Sequence, residues 1–156
     1  MKILLDTSYF LSAYKLKSYS LPVNVLKEIK KRHHEFYYSD FVYFECNAKA
    51  SKFNCANLNM ITTSIITSPD FIELHSKSQP IWELACYFRK YHTDFIDCIH
   101  YATAIYNQMD YFLTEETEFR RLVGLQISDF TTTFGQSYTL PPFLNFSEFI
   151  KTFPEN

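Results

Sequence analysis

The sequence contains only two glycines in 156 residues. That scarcity excludes a glycine-rich loop cradling phosphate through backbone N–H groups, and it leaves little material for tight primed hairpins. Any chemistry has to come from side chains. An excess of positive charge is also lacking, because 15 Lys and Arg face 17 Asp and Glu. The electrostatic footprint of a protein that simply coats nucleic acid is therefore missing. A slight excess of acid suits a metal enzyme, in which divalent cations neutralise clustered carboxylates. No Cys-x-x-Cys pair occurs among Cys46, Cys55, Cys86 and Cys98, each of which lies in a helical or apolar stretch. Buried, reduced thiols are expected. No apolar run reaches the length of a membrane span, and no basic segment precedes a long hydrophobic one at the start. The expectation is a soluble, cytoplasmic protein with no membrane association.

Hydrophobic residues make up 47% of the chain and aromatic residues 19%, enough for one substantial core. Lys2 to Asp6 is a short apolar run ended by Asp-Thr-Ser, a buried strand passing into a helix capped by Thr7 or Ser8. Pro22 opens a second helix that continues to His34. Phe36 to Ser39 predicts another strand, and Asp40 the cap of a helix that runs toward Phe53 and carries Glu45 in its first two turns. Further helices are expected over residues 57–67, over Gln79 to Tyr91 and from Thr93 or Asp94 through Ile105. Asp70 to Leu74 reads as a third strand and Tyr111 to Thr114 as a fourth. A short helix spans Glu115 to Leu122, and Gly124 to Ser128 reads as a fifth strand. The strands alternate with helices and lack an inside-out pattern, which predicts a mostly parallel sheet covered on both faces. Residues 129–156 are less regular and rich in Thr and Phe. They are expected to form an extension packed on a domain of residues 1–128, with Ser147 capping a last short helix.

In such a sheet, functional groups collect at the carboxyl ends of strands. Asp6 ends the first strand; Thr114, Glu115 and Glu116 follow the fourth. Asp94 and Asp97 share nearly one helix face close to an N-terminus that favours carboxylates. Glu45 sits similarly early in its own helix. Carboxylates converging without matching Lys or Arg repel one another unless a cation binds or some protonate. Mg²⁺ and Mn²⁺ take oxygen ligands and retain waters that can be activated as nucleophiles, so phosphodiester hydrolysis follows.

Ile3-Leu4-Leu5-Asp6-Thr7-Ser8 resembles the opening of PIN domains, in which a strand delivers the first metal-binding Asp. Phe41-Val-Tyr-Phe-Glu45 resembles the segment bearing the second acid, Asp97-Cys-Ile-His-Tyr-Ala-Thr-Ala104 the third, and Phe112-Leu-Thr114-Glu-Glu116-Thr-Glu-Phe119 the fourth. The resemblance runs across residues 1–128. It departs in one place, since Glu116 stands where the family motif has Asp. What it implies is a three-layer α/β/α sandwich on a parallel sheet of four or five strands, and a Mg²⁺- or Mn²⁺-dependent ribonuclease with Asp6, Glu45, Asp97 and Glu116 as ligands. Frequent dimers, and for many small members a toxin role beside an antitoxin protein, are implied too. Thr7, Ser8 and Thr114 are candidates to hydrogen-bond ligand waters or carboxylates.

Plainer readings stand beside these. Asp6 is otherwise a turn or capping residue, Glu45 a solvated helix residue, and Glu116 an ordinary first-turn acid, replaceable as ligand by Glu115 or Glu118. Asp94 reads better as an N-cap than as a ligand, and His100, one turn after Asp97, as a packed or solvated imidazole. His92 carries no ligand spacing. Arg120 and Arg121, close to Glu116, are candidates for phosphate contact with RNA. Two rival functions remain: a PIN-like scaffold or RNA-binding subunit without catalysis, and a phosphatase or receiver domain using Asp6. The last fits poorly, because the partner residues such domains need are replaced by Ser8 and Thr114.

Overall fold

The computed structural model describes residues 1–14, 21–52, 63–64, 67–135 and 137–155. The helix expected over residues 57–67 lies largely, and Cys55 wholly, outside them. The chain opens with β1 (Lys2–Leu5) and α1 (Thr7–Leu11), followed by α2 (Val25–Lys30), β2 (Glu35–Ser39), α3 (Phe41–Lys52) and β3 (Phe71–Leu74). A helical pair follows, α4 (Gln79–Arg89) and α5 (Phe95–Tyr106). Then come β4 (Tyr111–Leu113), α6 (Thr117–Leu125), α7 (Ile127–Phe134), β5 (Phe143–Leu144) and α8 (Phe146–Thr152).

All neighbouring strands pair in parallel, in the order β3-β2-β1-β4-β5. Successive side chains of a strand point to opposite faces, and both faces here are apolar. Ile3 and Leu5 join Phe36, Tyr38 and Leu113 against α1, α2, α3 and α8, whereas Leu4 and Phe112 face α4, α5, α6 and α7. The fold is therefore a three-layer α/β/α sandwich. The chain adds β2 and β3 on one side of β1 before crossing to β4 on the other. The carboxyl ends of β1 and β4 thus flank the point where strand order reverses, where open α/β sheets form their crevice.

Three expectations are corrected. No strand forms at Gly124 to Ser128: α6 and α7 occupy this stretch, and β5 lies later. Phe119 and Val123, then Phe130 and Phe134, recur at four-residue intervals, a helical spacing that the short run around Leu125 conceals. Thr131, Thr132 and Thr133 each donate their hydroxyl to the carbonyl four residues earlier, which accommodates a Thr run inside a helix. Cys86 is exposed, whereas Cys46 and Cys98 are buried thiols, because Cys86 falls on the solvent face of α4. The last helix is capped by Asn145, not Ser147, through a reciprocal pair of bonds with Glu148. Among the described residues no helix is long and apolar enough to cross a membrane.

Candidate active site

β1 ends where the Asp6 N–H donates to the Leu113 carbonyl at 2.9 Å, fastening this carboxylate to the β1–β4 crevice. Asp6 is extended, at the position preceding α1, and its side chain does not cap that helix. Instead its Oδ2 accepts from Ser8 Oγ at 2.9 Å and from Thr114 Oγ at 3.1 Å. Thr114 Oγ in turn accepts from the Glu116 N–H at 3.1 Å, which ties the turn after β4 to the end of β1.

Glu45 projects from α3 into the same crevice and is 4% exposed. Lys49, one helical turn later, forms an ion pair with it. His100, fully buried on α5, sets Nδ1 2.7 Å from Ser39 Oγ; its Nε2 lies 2.9 Å from Thr7 Oγ and 3.4 Å from Glu45 Oε2. Burial would raise the Glu45 carboxyl. Hydrogen bonds from His100, Lys49 and Thr7 override it and hold the carboxyl at about 2.

Asp97 stands in the first turn of α5, where Asp94 caps the helix by accepting the Ile96 N–H at 2.9 Å. Its own carboxyl is pushed well above the ordinary range, first by burial and then by the charges of Asp6, Asp94, Glu45 and Glu116. His92 Nε2 touches Asp97 Oδ2 at 2.8 Å, with its ring against Phe119, and this contact does not outweigh those effects. Glu116 is exposed as a residue at the position preceding α6. Its carboxyl is nevertheless raised, by partial loss of hydration and by Asp6. Asp97 thus lies within electrostatic reach of the other three acids named from the sequence, and Glu116 within reach of Asp6.

The other acids after β4 are placed differently. Glu115 accepts from Tyr9 Oη and from the Phe146 N–H, both at 2.8 Å, and so buttresses α8. Arg120 binds both oxygens of Glu148 at 2.8 and 2.6 Å, while Arg121 is exposed on α6. Sequence reasoning passed over two partners of the acids. Lys49 was visible as a residue four positions after Glu45. His92 reaches Asp97 across the α4–α5 turn, and no helical or strand period announces that contact.

The donor chemistry of the cluster is carboxylate oxygen, which suits a hard divalent cation. Among the described residues, no three His, Cys, Asp or Glu side chains stand together in metal-holding geometry. The contacts above give the reason: Asp6 is turned to two hydroxyls, Glu45 to Lys49 and His100, and Asp97 to His92. Comparison with known structures finds the fold in VapBC2 from Rickettsia felis bound to a DNA fragment from its promoter. The match has a TM-score of 0.60 at 16% identity and covers 93% of this chain and 98% of that one. VapC20 of Mycobacterium tuberculosis, a sarcin–ricin loop cleaving toxin, matches with a TM-score of 0.61 at 14% identity, covering 76% and 93%. A toxin–antitoxin complex from Klebsiella pneumoniae matches at 0.51 and 20% identity, covering 74% and 87%. No curated protein sequence matches. The PIN domain family model matches residues 3–125, and the chain belongs to that family.

Proposed function

We propose that the protein is a divalent-metal-dependent endoribonuclease that hydrolyses RNA phosphodiester bonds. In this reading it acts in the cytoplasm as a homodimeric toxin held in check by an antitoxin protein. The observation that carries the proposal is Asp97: a largely enclosed carboxyl, raised first by loss of hydration and then by Asp6, Asp94, Glu45 and Glu116, marks a crevice crowded with acids. Its similarity in fold to a toxin that cleaves the sarcin–ricin loop and to toxin–antitoxin complexes supports the same direction.

Asp6, Glu45, Asp97 and Glu116 would hold the cation, with Lys49 and His92 giving way as counter-charges. A bound Mg²⁺ or Mn²⁺ would supply Lewis acidity at the scissile phosphate and activation of the attacking water. The chain's own residues orient the ligands. Ser8 and Thr114 aim Asp6, and Thr7 and His100 restrain Glu45. In this reading Arg121, exposed on α6, would meet a substrate phosphate.

The test is incubation of the purified chain with a mixed RNA pool and Mg²⁺ or Mn²⁺, beside Asp97→Asn. Discrete products from the wild type alone are expected. Identical products from both proteins would mean a contaminating nuclease. No products from either would favour a PIN-like module that binds RNA or a partner without cutting.

A further inference from the structure

Of the four acids, Glu116 is the one whose side chain is least held. It is exposed and does not cap α6, so its carboxylate stands where the backbone of residues 114–116 carries it. That backbone is fastened from two directions. Toward β1, the Glu116 N–H donates to Thr114 Oγ, which donates to Asp6 Oδ2. Toward the C-terminal extension, the Thr114 N–H donates to the Leu144 carbonyl at 3.0 Å, and the Phe146 N–H donates to Glu115 Oε1 at 2.8 Å. Leu144 and Phe146 lie beyond residues 3–125, the stretch that matches the PIN pattern.

Glu115 joins these elements. Its Oε1 accepts a second hydrogen bond, from Tyr9 Oη at 2.8 Å, and Tyr9 is fully buried on α1, three residues after Asp6. One carboxylate oxygen therefore links the helix that follows Asp6, the turn that carries Glu116 and the first residue of α8. Arg120 also reaches α8 through Glu148, but that pair is exposed and contributes little. Electrostatics gives the link a purpose. The Glu116 carboxyl is raised by loss of hydration and by Asp6, so in the metal-free protein a loose turn would carry Glu116 away from Asp6 into water. Drawing it back on metal binding would lower affinity, whereas a fastened turn is already in place.

We propose that Glu115 is a positioning residue: anchored by Tyr9 and by the Phe146 N–H, it holds the turn that keeps Glu116 beside Asp6. The start of α8 thereby belongs to the framework of the metal site. This inference rests on the reading of Glu116 as a metal ligand.

The test is a double-mutant cycle in Mn²⁺ affinity, read by calorimetric titration of the full chain as wild type, Glu115→Ala, Glu116→Ala and the double variant, each shown to be folded by circular dichroism. Glu115→Ala weakens Mn²⁺ binding about tenfold, the scale of removing a partner that orients a ligand. In the Glu116→Ala background the same change has no further effect, because the side chain through which it acts is gone. Glu115→Gln restores the affinity, since its amide oxygen accepts both hydrogen bonds. Tyr9→Phe removes one of the two donors and weakens binding in the same direction; it replaces Glu115→Ala in the cycle if that variant does not fold.

Wild-type affinity in Glu115→Ala would refute the positioning role and leave the metal reading standing. An equal loss in both backgrounds would assign Glu115 to the general fold, and a loss in Glu115→Gln as large as in Glu115→Ala would make Glu115 a ligand; either result overturns the inference. Unchanged affinity in Glu116→Ala would remove Glu116 from the site and the inference with it. No Mn²⁺ binding by the wild type would bring down the metal reading itself together with this inference.

Discussion

Replacing Asp97 by Asn removes an acid that the crevice of Asp6, Asp94, Glu45 and Glu116 keeps protonated, and the metal-free protein should gain stability as a result. The Asp97 side chain is 13% exposed and its carboxyl is held well above the ordinary range. The folded chain therefore retains a proton that the unfolded chain loses near pH 4. Each pH unit above that value costs up to about 1.4 kcal/mol, which sets a ceiling of about 4 kcal/mol at neutral pH. The His92 contact and sharing of the charge among five acids reduce the expected gain to about 1–2 kcal/mol. For a chain of this size that is a rise of about 2–8 °C in Tm. Asn keeps an oxygen for His92, so little packing is lost. The sign in pH follows: a raised folded value gives stability that is present at low pH and lost as pH climbs from the ordinary carboxylate range through neutrality. Melting curves in chelator across that range test this. Wild-type Tm should fall as pH rises, and Asp97→Asn should flatten the fall. A variant less stable than wild type in chelator, with the same pH slope, would refute the reasoning.

Other outcomes can be checked by simpler means. His100→Ala strips a fully buried partner from Thr7, Ser39 and Glu45 and should cost about 2–4 kcal/mol, read as a lower denaturant midpoint. Phe149→Ala, from the core between α8 and the sheet, should cost about 3–5 kcal/mol; a near-neutral effect would mean that α8 is loosely attached. Asn145→Ala removes the capping box of α8 and should cost about 1 kcal/mol in the same assay. Arg120→Ala breaks an exposed pair with Glu148 and should shift stability by less than about 1 kcal/mol, so any larger loss of RNA affinity would reflect substrate contact.

The sequence carried much of this architecture because its local signals were unambiguous. Ile3-Leu4-Leu5 is apolar on every residue, as a strand buried on both faces must be, and the Asp that follows can only stand at its carboxyl end. Asp94 announced itself as a cap by its offset from Ile96 and Ile99. The last quarter of the chain was harder to read. β5 is two residues long, too short to show a period, and it is a strand because β4 offers it an open edge. The helix at Ile127–Phe134 runs through three Thr residues that propensity alone assigns to a loop. The surroundings of the acids lie further from local pattern still. That Glu45 meets Lys49 follows from one helix, but that His100 meets Ser39 and Thr7, or His92 meets Asp97, depends on how helices pack and on where a turn reverses.

The most direct measurement is calorimetric titration of Mn²⁺ into the metal-free wild type, Asp6→Asn and Asp97→Asn, each verified as folded. The account predicts binding by the wild type and at least about tenfold weaker binding by each variant. Equal affinities in all three proteins, or no binding by the wild type, would contradict it.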